Sequence, residues 1–258
     1  MKFPYPKLVL APLFSVVFLS GCAQGEVFSP PVNSENIHFT ATIPDELEAQ
    51  PLSAMYRSEI CRKERRNSSM ESYTVPGFHR ESYPLSVRQL NQVEVNIPKE
   101  GGGKCDWKLS NIKFEVKLKD PSKIDALISK NFGAEATFVI DNNAPQVFDG
   151  GFEKKSGSVD ETLILFPLIS ELFIDGHVKQ FWLIAKYETL TYKLKNAQNI
   201  NLIIDYKSDM KSYWISVKKK EDGAMATLIY PNGDTEKTRE IKPEYQKLMQ
   251  ILEAQGAK

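Results

Sequence analysis

The chain reads as mainly β: antiparallel, sandwich-like sheets with one C-terminal amphipathic helix. Three observations predict this. Residues 105–118 alternate apolar and polar with the two-residue period of a half-buried strand. Hairpin signals such as Asp175-Gly176 and Pro231-Asn232-Gly233-Asp234 separate short apolar runs. The 3-and-4 spacing of a helix is clear only near the end, at Tyr245, Leu248, Met249, Ile251 and Leu252.

Taken in order, Asn36 to Ile43 alternates, with Ile37, Phe39, Ala41 and Ile43 on one side. Leu52 to Cys61 is a strand feeding a basic run, Arg62-Lys63-Glu64-Arg65-Arg66. Asn67 to Tyr83 is polar and carries a Pro76-Gly77 turn signal. Gln89 to Ile97 puts Val93, Val95 and Ile97 on one face, and Gly101-Gly102-Gly103 marks a loop. From Cys105 to Leu118 the apolar set begins on odd numbers (Cys105, Trp107, Leu109). It then moves to even ones (Ile112, Phe114, Val116, Leu118). A period-2 strand cannot change parity without an extra residue, so a β-bulge or break is expected near Ser110-Asn111.

Asp120-Pro121 ends that strand, and Ser122 to Lys130 reads as a short helix capped by Asp120 or Ser122. Ala134 to Ile140 is a strand, and residues 146–160 read as loop. Thr162 to Ile169 is a continuous apolar run interrupted by Pro167, a buried strand near an edge. Leu172 to Ile174 and Val178 to Ile184 flank the Asp175-Gly176 turn; Lys186 to Leu194, Asn201 to Tyr206 and Tyr213 to Val217 are strand-like. Ala226 to Tyr230 pairs with Glu236 to Ile241, and Pro243 opens the helix. The body divides into a β-rich part at 37–140, a loop or boundary at 141–160, and a β-rich part with the helix at 161–258. One sandwich-like unit and two domains both remain open.

The 258 residues carry 33 Lys+Arg against 33 Asp+Glu, with 41% hydrophobic and 26% charged residues. This excludes wholesale disorder and argues against a nucleic-acid partner, which would call for a basic excess. The body holds no apolar run long enough for a polytopic membrane protein. The N-terminus has a different pattern. Lys2 and Lys7 precede an apolar core from Leu8 to Leu19, a secretory signal pattern, and Leu19-Ser20-Gly21-Cys22 follows. This resembles the lipobox of bacterial lipoproteins, whose cysteine receives diacylglycerol. The resemblance covers the leader alone. It implies a signal peptide at 1–21, lipidated Cys22, and acyl chains that anchor the domain. Ala23 stands where such lipoproteins carry an Asp for inner-membrane retention. The expected place is therefore the periplasmic face of the envelope, at the outer membrane rather than the inner. Residues 22–36, with Ser29-Pro30-Pro31, read as a lipidated tether that lifts the domain off the membrane. Removing the 21 leader residues, with their two lysines and no acid, leaves 237 residues and a net charge of −2. That near-neutral total gives no strong electrostatic capture by anionic lipid.

With Cys22 lipidated, Cys61 and Cys105 remain, and an oxidising compartment joins them. The bridge contributes about 4 kcal/mol by restricting the unfolded chain. A catalytic thiol or a zinc site competes with it, but His38, His79 and His177 stand in no ligand-like spacing with either cysteine.

No catalytic motif, cofactor site or metal site is expected. The glycine triplet with Lys104 lacks the setting of a phosphate loop, and Ser-x-x-Lys at Ser110, Ser208 and Ser216 lacks its companion motifs. The densest charge cluster is Arg62 to Arg66. It reads either as a solvated strand end or as a patch for an acidic partner or lipid headgroups. The adjacent pairs Phe181-Trp182 and Tyr213-Trp214 imply either a sheet buried on both faces or an aromatic binding surface. The expected function is a non-enzymatic, lipid-anchored binding protein. Its layout of lipobox, tether, β-rich domain and disulfide resembles the immunity lipoproteins that guard against type VI secretion phospholipase effectors. That resemblance implies a toxin as protein partner, occluded by segment 62–80, with Arg62, Lys63, Arg65, Arg66, Tyr73 and Phe78 as contacts. A structural or assembly lipoprotein of the envelope or a secretion apparatus is the alternative. An envelope hydrolase with an unrecognised site is the third reading.

Overall fold

A computed structural model describes residues 27–141, 152–173, 176–187, 190–219 and 221–256. The signal peptide, Cys22, Ile174-Asp175 and residues 142–151 of the expected 141–160 boundary lie outside the described residues. The strands are β1 (Asn36–Thr42), β2 (Leu47–Ala49), β3 (Leu52–Arg66), β4 (Ser72–Tyr83), β5 (Ser86–Gln89) and β6 (Gln92–Pro98). Next come β7 (Glu100–Gly102), β8 (Trp107–Leu118), β9 (Ile128–Phe132), β10 (Ala134–Val139), β11 (Phe152–Ser156) and β12 (Val159–Leu172). Then follow β13 (Val178–Ile184), β14 (Leu190–Lys195), β15 (Asn199–Tyr206), β16 (Ser212–Ile215), β17 (Ala226–Ile229) and β18 (Thr235–Thr238). The one α-helix among the described residues is α1 (Tyr245–Gly256).

These strands form two sheets. The first runs β18-β17-β16-β12-β15-β1-β6-β5, with β13 and β9 continuing from β12; the second runs β11-β14-β10-β8-β3-β4, with β2 and β7 on β8. Their facing sides enclose one core that includes Phe39, Tyr56, Trp107, Phe114, Phe138 and Phe181. Each such side chain contributes roughly 1.5–3 kcal/mol on burial. A second core lies on the far side of the first sheet. There Leu248 and Ile251 of α1 cover Phe166, Leu168, Ile184 and Leu228. The first sheet is thus buried on both faces at β12 and β13, which explains the adjacent pair: Phe181 enters the first core, and Trp182 packs against the second.

The mainly β sandwich and its terminal helix stand as expected, but the sheets are mixed rather than antiparallel. β1 and β12 each pair parallel with β15, β12 pairs parallel with β16, and β10 and β11 pair parallel with β14. The cause is connectivity. After β10 and β11 the chain crosses to the first sheet for β12 and β13, then returns for β14. A crossing of that length lets the chain re-enter in the same direction. Strands from both sides of residues 141–160 therefore share both sheets and the first core, so the two parts are one interleaved unit.

The parity change in β8 is a bulge. Met55 pairs with Asn111 and Tyr56 with Leu109, leaving Ser110 as the extra residue. Ser110 is fully buried; its carbonyl accepts from Ile140 N at 2.8 Å and its hydroxyl from Arg57 Nε at 3.1 Å. Pro167 sits within β12 where one edge changes partner, after Leu165↔Tyr206 and before Leu168↔Ser212. The Leu165 carbonyl accepts from Lys207 N on that edge, so by the two-residue period the proline nitrogen faces the same gap.

Other expectations fail for identifiable reasons. The helix at Ser122–Lys130 shrinks to a 3₁₀ turn at Pro121–Lys123 capped by Asp120. Asp125 then accepts from Leu127 N at 2.9 Å and turns the chain into β9, which pairs with β13. Phe152–Ser156, read as loop, is β11. Pro76-Gly77 is no turn but lies inside β4, which also carries His79.

Candidate partner-binding arm

β3 and β4 begin as ordinary sandwich strands and then run past the end of the sheet. Up to Ser58, alternate residues of β3 are buried; beyond it nearly every residue is exposed. The transition is built residue by residue. Ser58 Oγ donates to the Cys105 carbonyl at 2.5 Å and accepts from Ile60 N and Cys61 N at 3.1 and 2.9 Å. The register then slips from Ser58↔Gly77 to Lys63↔Val75, so residues 59–62 stand opposite Pro76 alone. A proline at a bulge loses no ladder bond. Gly77 is required there: a Cβ on it would stand 1.9 Å from the Cys61 carbonyl oxygen. Cys61 is disulfide-bonded to Cys105 with Cα atoms 5.3 Å apart, tying the bulge to the chain just before β8.

Beyond the bulge the pairing resumes as Lys63↔Val75, Glu64↔Thr74, Arg65↔Tyr73 and Arg66↔Ser72. The tip is held by Asn67, whose Oδ1 accepts from Ser69 N and Glu71 N, both at 2.9 Å. Directly paired residues share a face. Lys63, Arg65, Tyr73 and Val75 therefore lie on one side of the arm, and Glu64, Arg66, Ser72 and Thr74 on the other. The Lys63 ammonium stands 4.3 Å over the Phe78 ring, a cation–π contact of about 0.5–1 kcal/mol. Arg62 belongs with the second face: its guanidinium donates to the Thr74 hydroxyl and carbonyl at 3.1 and 3.0 Å and pairs with Glu59. Five of the six expected contact residues are thus on the arm, divided between its faces, and Phe78, opposite Arg57, stands at its base. Among the described residues, Lys63, Arg65 and Arg66 have no acidic partner. Ile60 and Met70 are each 67% exposed, Tyr73 49% and Phe78 41%. A stiff element that exposes aromatics and unpaired cations together has the composition of an interface.

The segment read as the later part of a free tether is docked beside this arm. Ser29 N donates to the Gly101 carbonyl at 2.8 Å, and Ser29 bridges Gly102. The Phe28 ring packs 4.7 Å from Tyr56 and stacks on His79 at 4.9 Å. The glycine triplet makes this possible. A Cβ on Gly101 would stand 2.3 Å from the Phe28 ring, and one on Gly103 2.1 Å from the Val27 carbonyl. The triplet is a seat for the N-terminal segment rather than a slack loop, and nothing in its spacing signals this. Below the seat, Tyr56 donates to the Pro98 carbonyl at 2.8 Å and lies 2.9 Å from the Tyr83 hydroxyl. Burial first, and Tyr83 second, push the Tyr56 hydroxyl far above its ordinary range, so it stays neutral.

Elsewhere the chemistry is dispersed. His38 bonds Asn96, His79 bonds Glu81 and His177 bonds Glu171, each with a separate neighbour. Among the described residues no three His, Cys, Asp or Glu side chains gather as a metal site requires. A cleft of about 560 Å³, not foreseen from spacing, opens beside the Phe132–Trp182 stack. Asn131 Oδ1 and Trp182 Nε1 are buried beside it without partners. A second, apolar cleft of about 470 Å³ lies at the opposite end of β3 from the arm, among Ile43, Leu47, Pro84 and Leu85. No helix among the described residues is long and apolar enough to cross a membrane. Comparison of the chain with protein-family models, curated proteins and solved structures returns no match.

Proposed function

We propose that this chain is a lipid-anchored, non-catalytic binding protein of the bacterial envelope. In this reading Cys22 carries the lipid and the β3–β4 arm grips a protein partner. The arm carries the reading: a disulfide-pinned hairpin that exposes Ile60, Met70, Tyr73 and Phe78 beside cations without acidic partners. A pinned element loses little entropy on binding, so its contacts convert more fully into affinity. The partner class that suits the layout is a secreted, phospholipase-type toxin whose active site the arm blocks. Lys63, Arg65, Tyr73 and Phe78, or Arg62 and Arg66 on the other side, would meet its acidic rim.

The test is protection. A cell making the full chain should survive the toxin encoded beside its gene. Arg66→Glu should lose protection while the protein keeps its abundance and its disulfide. Absence of protection by the unaltered chain sinks the toxin reading. Capture of envelope machinery by a photo-crosslinker at position 70 would replace it with an assembly role.

A further inference from the structure

The direction in which the arm points has a consequence for what it touches. β3 runs antiparallel to β8, pairing Ser53 with Lys113 and Arg57 with Lys108, so it heads for the first residues of β8. There Trp107 pairs with Gly102, and Gly102 bridges Ser29. The sandwich end that receives the N-terminal segment is therefore the end from which the arm projects. Four residues, 23–26, separate Cys22 from Val27, where the docked segment begins. Five residue steps span at most about 17 Å. From Cys61 to Arg66 the arm extends over five steps as well, again about 17 Å. The linker to Cys22 is therefore at most as long as the arm, and it starts from the sandwich end from which the arm projects.

We propose that the Lys63, Arg65 and Tyr73 face of the arm seats on anionic phospholipid headgroups beside the lipid anchor. This rests on reading Cys22 as the anchor, and it leaves the Arg62 and Arg66 face to the protein partner. Charge and composition agree. Within the paired ladder Lys63 and Arg65 share their face with Tyr73 and Val75, and the nearest acid on that side is Glu71 at the tip. Glu64 lies on the other face, and Glu71 is bonded to Asn67 at 2.7 Å. Tyrosine suits the headgroup level and cations are drawn to an anionic surface, whereas the near-neutral chain as a whole is not. Exposed Met70 at the tip adds apolar area to the same contact. The anchor supplies a high local concentration, so a weak seat is sufficient.

The test uses the full chain, processed in the cell and reconstituted in vesicles of phosphatidylglycerol and phosphatidylethanolamine. Benzoylphenylalanine replaces Tyr73, and Tyr213, exposed on β16, in a control. The mass of the N-terminal peptide reports acylation of Cys22. The expected result is a lipid adduct at position 73 and none at 213, with none at either position in phosphatidylcholine vesicles. Each cation is worth about fivefold in partition, so Lys63→Glu with Arg65→Glu should lower the adduct by about 25-fold or more. An acylated chain that forms only protein adducts at 73, or none, overturns the seat and leaves the anchor standing. An unacylated Cys22 overturns the anchor, and the seat falls with it.

Discussion

At Gly77 a single hydrogen in place of a side chain lets two backbones meet. Any Cβ there runs into the Cys61 carbonyl, so either the bulge or the strand must shift. Gly77→Ala should cost about 1–3 kcal/mol, the usual range for overpacking. A lower urea midpoint with an unchanged slope would show it; an unshifted midpoint would mean that the bulge yields freely. Tyr206 and Tyr230 make a second point at this scale. Burial is the first cause for both, followed by Glu46 for Tyr206 and the Glu236 hydrogen bond for Tyr230, and each hydroxyl is pushed up to about 12. The folded state therefore favours the neutral phenol. Its stabilisation is whole below the ordinary value of 10 and is lost as the pH rises from there through about 12. Tyrosinate absorbance and circular dichroism should change together in that window, and Tyr230→Phe should move the midpoint upward. Ionisation well before unfolding would contradict this.

The arm is the element whose behaviour depends most on one bond. Removing the disulfide with Cys61→Ser and Cys105→Ser should cost about 4 kcal/mol by the chain-entropy model. It should also speed amide exchange at 59–75 more than in the neighbouring β8; uniform exchange would show that the pin is not local. Elements were legible in the sequence where burial on one face wrote the pattern. The Ser110 bulge of β8 follows from the parity of Trp107, Leu109, Ile112 and Phe114 alone, and α1 from the spacing of Leu248 and Ile251. Elements were illegible where a distant partner decided. Pro76-Gly77 has turn composition, yet Cys61 from the facing strand makes it a bulge site. Ile128 to Phe132 has no strand signature of its own and becomes one against β13. The basic run was visible as a cluster. Its division into two faces was not, because the slip between Ser58 and Lys63 is set by the disulfide and Gly77 together.

Over the whole molecule, β1 lies beside β15 and β10 beside β14, so neither half of the chain can complete a sheet alone. A fragment ending at residue 141 should show no cooperative unfolding transition, and mixing it with the remainder should restore one; independent folding of either piece would refute the interleaving. Pairings so distant in sequence also predict slow folding, in milliseconds to seconds rather than microseconds. Parallel neighbours were hidden from the sequence for the same reason: the alternation of Ile37, Phe39 and Ala41 reports a buried face and says nothing of strand direction. The seated N-terminal segment matters mechanically as well. A pull on the N-terminus does not peel β1 from the sheet edge inward. It first loads the Ser29–Gly101 bond and the Phe28 ring wedged against Tyr56 and His79. From there tension passes into β7 and β8, and across the disulfide to β3, before β1 bears any strain.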